Sequence, residues 1–344
     1  MLTSSDVSVV SVSSVLLCLT ATAGLCYVLA CIMGKSGAKS ASGALTAHGA
    51  RLVSIYHKTL AKTSFARCLG SHDASIESLT LRTSAFRFTV PPRLCIDSRL
   101  SASSAMAIFD DLSTVHLLGI DTSCRGGVSV HLSTTLLRRV PVGTDLTLRC
   151  TVDKLGKSMG FVTMEMVDSA SSAVVATGKH VKFMPTGNYW VDLLSRPFLL
   201  APLIKHCLYD DGSTLFHRLG LLKPSRPKEY NCGEGPAAVY DYLGLAPADN
   251  TLKLKVHGLI SNPLGSMHGG AVGMAAEWAA LQSPDGKAKT GMGQVVTSIS
   301  ATYLSALTGE AAFDAAPGAA LVVARKMQGS AAPCSQFVMA WGAL

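Results

Sequence analysis

Charge is scarce in this sequence. Only 15% of its 344 residues are Asp, Glu, Lys or Arg, and aromatic residues make up only 6%. With 48% hydrophobic residues, that balance excludes a disordered chain and leaves enough apolar material for a packed core. Acids are missing from residues 35–72, and charge of either sign is missing from residues 7–34. CxxC pairs and His clusters at zinc spacing are missing too, so no metal site is expected.

The net charge of +8 is not spread over the chain. Lys35, Lys39, Arg51, Lys58, Lys62 and Arg67 all fall in the acid-free stretch, and the rest is close to neutral. No broad basic face remains, so nucleic acid is not an expected partner. As one helix, the run Val7–Gly34 would reach roughly 42 Å at about 1.5 Å per residue, more than the ~30 Å hydrocarbon core of a bilayer. A cleaved signal peptide would want a basic start, and Met1–Asp6 has none. The reading is a single-pass N-terminal membrane anchor (1–34). The bases that follow it put the body on the cytosolic or matrix side.

The basic segment 35–79 is rich in Ser, Ala, Lys and Arg, the composition of a mitochondrial targeting stretch or of a collar on anionic lipid. The expected place is therefore a membrane, the mitochondrial inner membrane with the body in the matrix. Cys18, Cys26 and Cys31 lie in the apolar run, and the other seven cysteines read as buried thiols in a reduced compartment.

The remainder reads as one unit written twice, at 80–185 and 236–344, with 186–235 as linker. In the first copy Phe86–Val90 alternates as a strand, and Ser101–Leu118 has helical spacing. Strand-like runs follow at Gly127–Leu137, Asp145–Leu155, Gly160–Val167 and Ala173–Met184. In the second, Thr251–Ile260 alternates and Gly269–Leu281 is helical, stopped by Ser283-Pro284-Asp285-Gly286. Strands are expected at Val295–Leu304, Ala319–Met327 and Gln336–Trp341, after which the second copy lacks its last strand. Ser101 aligns with His268 and Thr135 with Thr302, both at an offset of 167 (268 − 101 and 302 − 135). Gly156 aligns with Gly329, which implies about six inserted residues around Gly309–Pro317. The fold class is α+β, a curved antiparallel sheet wrapping one helix, twice, paired as a pseudo-dimer.

The sharpest local signal is Asn262-Pro263-Leu264-Gly265-Ser266-Met267-His268-Gly269-Gly270, between a strand and a helix. Such a turn exposes backbone N–H groups at a helix start, where an oxyanion is stabilised. With Glu277 nine positions after the His, it resembles the hotdog-fold acyl-CoA thioesterases, of the thioesterase superfamily member 2 and phenylacetate-pathway type. The first copy resembles the same family at Phe109-Asp110-Asp111-Leu112-Ser113-Thr114, Gly127-Val128-Ser129-Val130, Gly156-Lys157-Ser158 and Gly178-Lys179-His180. There, Cys95, Ser98 and Ser101-Ala102-Ser103 replace the Asn, Gly and His-Gly-Gly, while Asp110 and Ser129 are kept. The second copy keeps the turn but has Val296 for the strand serine.

The resemblance implies a tandem double hotdog with one complete site across the copies. Asp110 would be the base or nucleophile and Gly269 N–H the main oxyanion donor. Asn262 would orient water or the thioester carbonyl, Ser129 would position the carboxylate or water, and His268 would lock the turn. An acid at a dry interface is expected to have a raised pKa, which suits a base. Lys157, Ser158, Lys179 and Lys182 would hold the phosphates of acyl-CoA, the implied partner; coenzyme A is part of the substrate and no other cofactor is implied. Two functions remain open. One is a membrane-anchored thioester hydrolase. The other is a non-catalytic hotdog subunit of a mitochondrial inner-membrane complex, such as the respiratory chain or ATP synthase.

Overall fold

The computed structural model describes residue 53 and residues 64–121, 127–184, 232–248, 251–262, 266–327 and 332–344. The expected membrane anchor, most of the basic segment and most of the linker lie outside the described residues, as do Pro263–Gly265 and Gly329. Among the described residues no helix is long and apolar enough to cross a membrane.

The first half opens with helix α1 (Ser64–Leu69) and strands β1 (Ser75–Leu79) and β2 (Thr83–Thr89). A two-residue hairpin, β3 (Cys95–Ile96) and β4 (Arg99–Leu100), leads into helix α2 (Ala102–Ile120). Strands β5 (Val128–Leu136), β6 (Asp145–Leu155), β7 (Met159–Asp168) and β8 (Val174–Phe183) follow. The second half has helix α3 (Ala238–Tyr242), β9 (Ala246–Ala248), β10 (Thr251–Lys255), helix α4 (Gly269–Gln282) and helix α5 (Pro284–Gly291). It closes with β11 (Val295–Tyr303), β12 (Glu310–Ala315), β13 (Leu321–Lys326) and β14 (Pro333–Gly342).

Helix α2 starts because Ser101 caps it, its side chain accepting from Ser104 N. It is buried around nearly its whole circumference, as a helix enclosed by a sheet must be. Ser283 ends α4 but also caps α5, accepting from Gly286 N with Pro284 in the first turn. The expected stop is thus a junction between two helices.

Twelve strands form one antiparallel sheet in the order β1-β2-β6-β7-β8-β5-β11-β14-β13-β12-β10-β9. Followed inward from either edge, each strand of one half has its counterpart in the other. The halves join where β5 pairs with β11, and Ser133 faces Ser300 at the centre. Those two serines are equivalent at the offset of 167 (300 − 133). On either side, Leu132 pairs with Ala301 and Thr134 with Ile299, which are images of each other. A local two-fold axis therefore passes through the serine pair, the register of a self-complementary interface.

Two expectations are corrected here. The second half lacks no strand, because Glu310–Ala315 is β12, paired on both sides with β10 and β13. The interval assigned to an insertion is that strand and its turn. The turn at Gly156 lies between β6 and β7, whereas Gly329 falls between β13 and β14, so these glycines are not equivalent. Helix α1 and strand β1 also lie within the segment expected as a basic flank. Phe65, Cys68 and Leu69 of α1 are buried in the core.

The expectation that every body cysteine is a free thiol is likewise corrected: Cys68 and Cys232, 164 residues apart, form a disulfide. Cys95, Cys150 and Cys334 are free and buried. Burial raises the Cys95 thiol to about 11 and Cys150 to about 12, which leaves both protonated and unreactive.

Helices α2 and α4 pack antiparallel at close range. A Cβ on Gly270 would lie 2.7 Å from the Ala107 Cα and 2.6 Å from its Cβ. A Cβ on Gly273 would meet only the flexible end of Met106. Gly270→Ala is therefore expected to cost about 1–3 kcal/mol by overpacking. Gly273→Ala should be near neutral, because Met106 can swing away and alanine gains up to about 1 kcal/mol of helix propensity. Urea unfolding of the two variants checks this; equal losses would mean the crossing is looser at Gly270.

Candidate functional site

The crossing places each helix start against the acid of the other helix. Gly270 N–H donates to Asp110 Oδ2 at 3.2 Å, and Ser103 N–H donates to Glu277 Oε2 at 3.2 Å. These bonds are images across the local axis, since Ser103 and Asp110 correspond to Gly270 and Glu277 (270 − 103 and 277 − 110). The surroundings of the two acids differ sharply.

Asp110 sits midway along α2 and is 4% exposed. Its Oδ1 accepts from Ser129 Oγ at 3.0 Å and lies 3.8 Å from Lys182 Nζ. His180 Nε2 is 2.9 Å from Ser129 Oγ, and His180 Nδ1 is 2.7 Å from Ser113 Oγ. An ionised carboxylate only accepts, so Ser129 donates to it, His180 Nε2–H donates to Ser129, and Ser113 donates to His180 Nδ1. This direction needs a neutral ring. Burial, joined by the Lys182 charge, pushes His180 down to about 3. Lys182 donates to Thr114 Oγ1 at 2.6 Å, and burial lowers its pKa as well.

Burial alone would raise Asp110, yet its pKa is lowered to about 2. The neighbouring His268 ring, the Lys182 charge and the Ser129 hydrogen bond more than offset the burial. The expected raised pKa is thus corrected: at neutral pH Asp110 is a held anion.

His268 is the N-cap of α4. Its Nδ1 accepts from Gly270 N–H at 3.1 Å, and its Nε2 lies 2.9 Å from Asp111 Oδ1. Asp111 in turn accepts from Ser71 Oγ at 2.5 Å, and Phe65 packs on the His268 ring at 5.0 Å. Asp111 therefore orients the capping ring, and His268 fixes the turn.

Gly269 must be glycine, because a Cβ there would lie 2.8 Å from Asp110 Oδ2. Tyr303 OH donates to its carbonyl at 2.9 Å. Its N–H has no acceptor among the described residues, and it stands at the positive end of α4 beside a carboxylate. A donor so placed suits an oxyanion that develops next to Asp110.

Among the described residues, Asn262 is bonded within its own turn. Its Nδ2 donates to Ser266 Oγ at 2.8 Å, and its Oδ1 accepts from Ser266 N at 3.3 Å, so it ties the turn together. Of the four side chains expected on phosphates, Lys182 is buried against Asp110, and Lys179 is exposed on the opposite face of β8 from His180. Lys157 and Ser158 lie on the exposed β6–β7 turn. Asp110, Ser129, His268, Gly269 and Lys182 are brought together, whereas the side chains of Lys157, Ser158 and Lys179 are exposed.

Sequence reasoning missed His180, Ser113, Thr114 and Tyr303 as parts of this cluster. The available signal was polar residues at inward positions of apolar elements: His180 and Lys182 alternate inward along β8.

Around Glu277 the same positions are apolar. Ser129 pairs with Lys182 and Leu132 with His180; their counterparts pair Val296 with Trp341 and Ile299 with Met339. Ser113 and Thr114 correspond to Ala280 and Leu281 at the offset of 167 (280 − 113). Glu277 is capped by Ser103 Oγ and by Tyr240 OH at 3.0 Å, and Tyr240 also bonds Ser101 Oγ at 2.5 Å. Burial raises the Glu277 pKa. At that helix start the acid is tied to Ser103 and Tyr240, with no serine, lysine or histidine at the positions that surround Asp110.

Comparison with known proteins adds sequence likeness to this geometry. Residues 100–174 match the model of the thioesterase superfamily. Human acyl-coenzyme A thioesterase 13 is 29% identical over 77 residues, 22% of this chain and 54% of that protein. The chain thus spans about half the length of the curated relatives it matches. Among solved structures, zebrafish thioesterase superfamily member 2 is 21% identical, with TM-score 0.35, covering 38% of this chain and 93% of that one. An acyl-ACP thioesterase from Bacteroides thetaiotaomicron is 12% identical, with TM-score 0.48, covering 76% and 98%. The resemblance to hotdog thioesterases is therefore present in the sequence of the first half.

A histidine held neutral makes folding sensitive to acid. Its folded pKa is depressed to about 3 from 6.5, so between those values the unfolded chain binds the extra proton. Stability is then lost as pH falls through that window, by up to about 1.4 kcal/mol per pH unit. His180→Gln should flatten this slope relative to wild type in urea unfolding at pH 7, 5 and 4. Parallel slopes would contradict the neutral ring.

Proposed function

We propose that this chain, whose residues 100–174 match the thioesterase superfamily, is a tandem double hotdog that hydrolyses acyl-CoA thioesters at one composite site between its halves. The observation that carries this reading is the Asp110 carboxylate of the first half, 3.2 Å from Gly270 N–H of the second, beside a Gly269 N–H that has no acceptor among the described residues. A thioester carbonyl oxygen would accept from Gly269 N–H, and the α4 dipole would favour the charge growing there. Asp110, already ionised, would attack the carbonyl carbon or take the proton of an attacking water. Ser129 would hold the carboxylate, and the neutral His180 would hold Ser129. Coenzyme A would enter as part of the substrate and leave as the thiol.

The non-catalytic alternative would be favoured by an incomplete second half, but β12 completes that half of the sheet. The polar cluster around Asp110 also favours chemistry, because a purely structural helix crossing is achieved at Glu277 with apolar neighbours.

Asp110→Asn should lower acyl-CoA hydrolysis at least ~10²-fold, the minimum typical of losing an acid–base group. Glu277→Gln should retain most activity, since Glu277 faces Val296 and Trp341 in place of Ser129 and Lys182. Steady-state assays with short, long and aryl acyl-CoAs make the comparison. Equal losses would overturn the assignment of a single site, and no wild-type turnover on any substrate would overturn the activity.

A further inference from the structure

The meeting of Asp110 with α4 turns on one peptide unit. The Gly269 carbonyl and the Gly270 N–H belong to the same planar group. Its N–H is shared between Asp110 Oδ2 at 3.2 Å and His268 Nδ1 at 3.1 Å. Its oxygen accepts from Tyr303 OH at 2.9 Å. Glycine on both sides leaves this peptide more backbone freedom than any other pair of residues would. Neither glycine can be exchanged for a larger residue to stiffen it, because a Cβ would meet Asp110 at Gly269 and Ala107 at Gly270. The direction of the N–H therefore depends on what grips the two ends of the peptide.

Tyr303 is the last residue of β11, and its ring meets Phe337 of β14 edge-on, with centroids 6.1 Å apart. Its hydroxyl borders the space beside the acid. The point where a Cβ on Gly269 would stand is 2.8 Å from Asp110 Oδ2, 3.5 Å from Tyr303 OH and 3.6 Å from Ser129 Oγ. Burial and the Asp110 charge push the phenol well above its ordinary pKa, so the hydroxyl keeps the proton that it donates.

This grip is not part of the repeated plan. At the offset of 167 (303 − 136), the counterpart of Tyr303 is Leu136, which offers no donor to the Ala102–Ser103 peptide facing Glu277. The ring partner is missing too. Phe337 pairs with Ala301, and at the equivalent place (301 − 134 = 167) Gly178 pairs with Thr134. The phenol and the ring that seats it occur only beside the ionised acid.

We propose that Tyr303 is a positioning residue: by holding the Gly269 carbonyl it turns the Gly270 N–H onto Asp110 and keeps that carboxylate beside the Gly269 N–H. A hydrogen bond to a peptide oxygen also polarises the N–H of the same unit, which strengthens its bond to Asp110. The consequence for turnover rests on the function proposed above; the grip on the peptide does not.

Tyr303→Phe in the full chain tests this, since it removes one oxygen and keeps the ring. The sequence has two Gly-Gly steps, Gly126-Gly127 and Gly269-Gly270. Glycine isotope-labelled at its carbonyl and amide, supplied with unlabelled serine, therefore leaves only the Gly127 and Gly270 amides in a carbonyl-selected NMR spectrum. In the variant the Gly269 carbonyl signal should move upfield. The Gly270 amide should exchange with solvent at least ~5-fold faster while Gly127 keeps its rate. With acyl-CoA, kcat should fall at least ~10-fold with KM unchanged, as lost alignment rather than lost binding requires. A Gly270 rate that stays the same, or rises only in step with Gly127 through general loosening, overturns the proposal. So does an unchanged kcat in an active enzyme. A wild type that hydrolyses nothing, with Gly270 still released by the variant, would sink the catalytic reading and leave the grip on the peptide standing.

Discussion

The antiparallel crossing of the two central helices is the constraint on which the rest of the structure depends. Gly270 rests on Ala107 with no room for a side chain. That closeness brings each helix start within hydrogen-bond reach of the other helix's acid, at 3.2 Å in both cases. The β5–β11 pairing, centred on Ser133 and Ser300, is the same two-fold relation expressed in the sheet. A local dyad thus fixes two equivalent places where a carboxylate meets an N-terminal helix dipole.

Equivalent backbone geometry has been given opposite chemistry. Around Asp110, a serine, a lysine and a neutral histidine hold the charge in a buried setting, and its pKa is about 2. Burying an anion is costly unless it is paired and hydrogen-bonded, and each of those partners answers part of that cost. Around Glu277 the partners are Val296, Met339 and Trp341, and burial raises the pKa. Glu277 is satisfied by Ser103 and Tyr240, close neighbours that cap it. One helix start presents a backbone donor with no acceptor among the described residues beside an ionised acid, while the other is closed by a tyrosine.

Much of the fold was legible because burial writes its period into the sequence. The central helices and the strands of the first half follow directly from apolar spacing, and the offset of 167 holds through α2, β5 and their counterparts. Strand β12 was not legible, since Glu310-Ala311-Ala312-Phe313-Asp314-Ala315 has a composition that suits a helix. Its partners β10 and β13 impose the strand. The Cys68–Cys232 disulfide was hidden for a related reason, because pairing over 164 residues depends on tertiary placement. At the candidate site, the turn and the two acids stood out as local motifs. His180 did not, and Lys182 was expected on a phosphate, because their place beside Asp110 comes from the β5–β8 register that faces them toward α2.

The central claim is that the only reacting centre lies at the meeting of Asp110 with the start of α4. A crystal structure of the full chain with a non-hydrolysable ketone analogue of an acyl-CoA tests it most directly. The account predicts the analogue's carbonyl oxygen within hydrogen-bond distance of Gly269 N–H, with its carbonyl carbon beside the Asp110 carboxylate. A carbonyl seated instead between Ser103 and Glu277, with the Asp110 side empty, would contradict it.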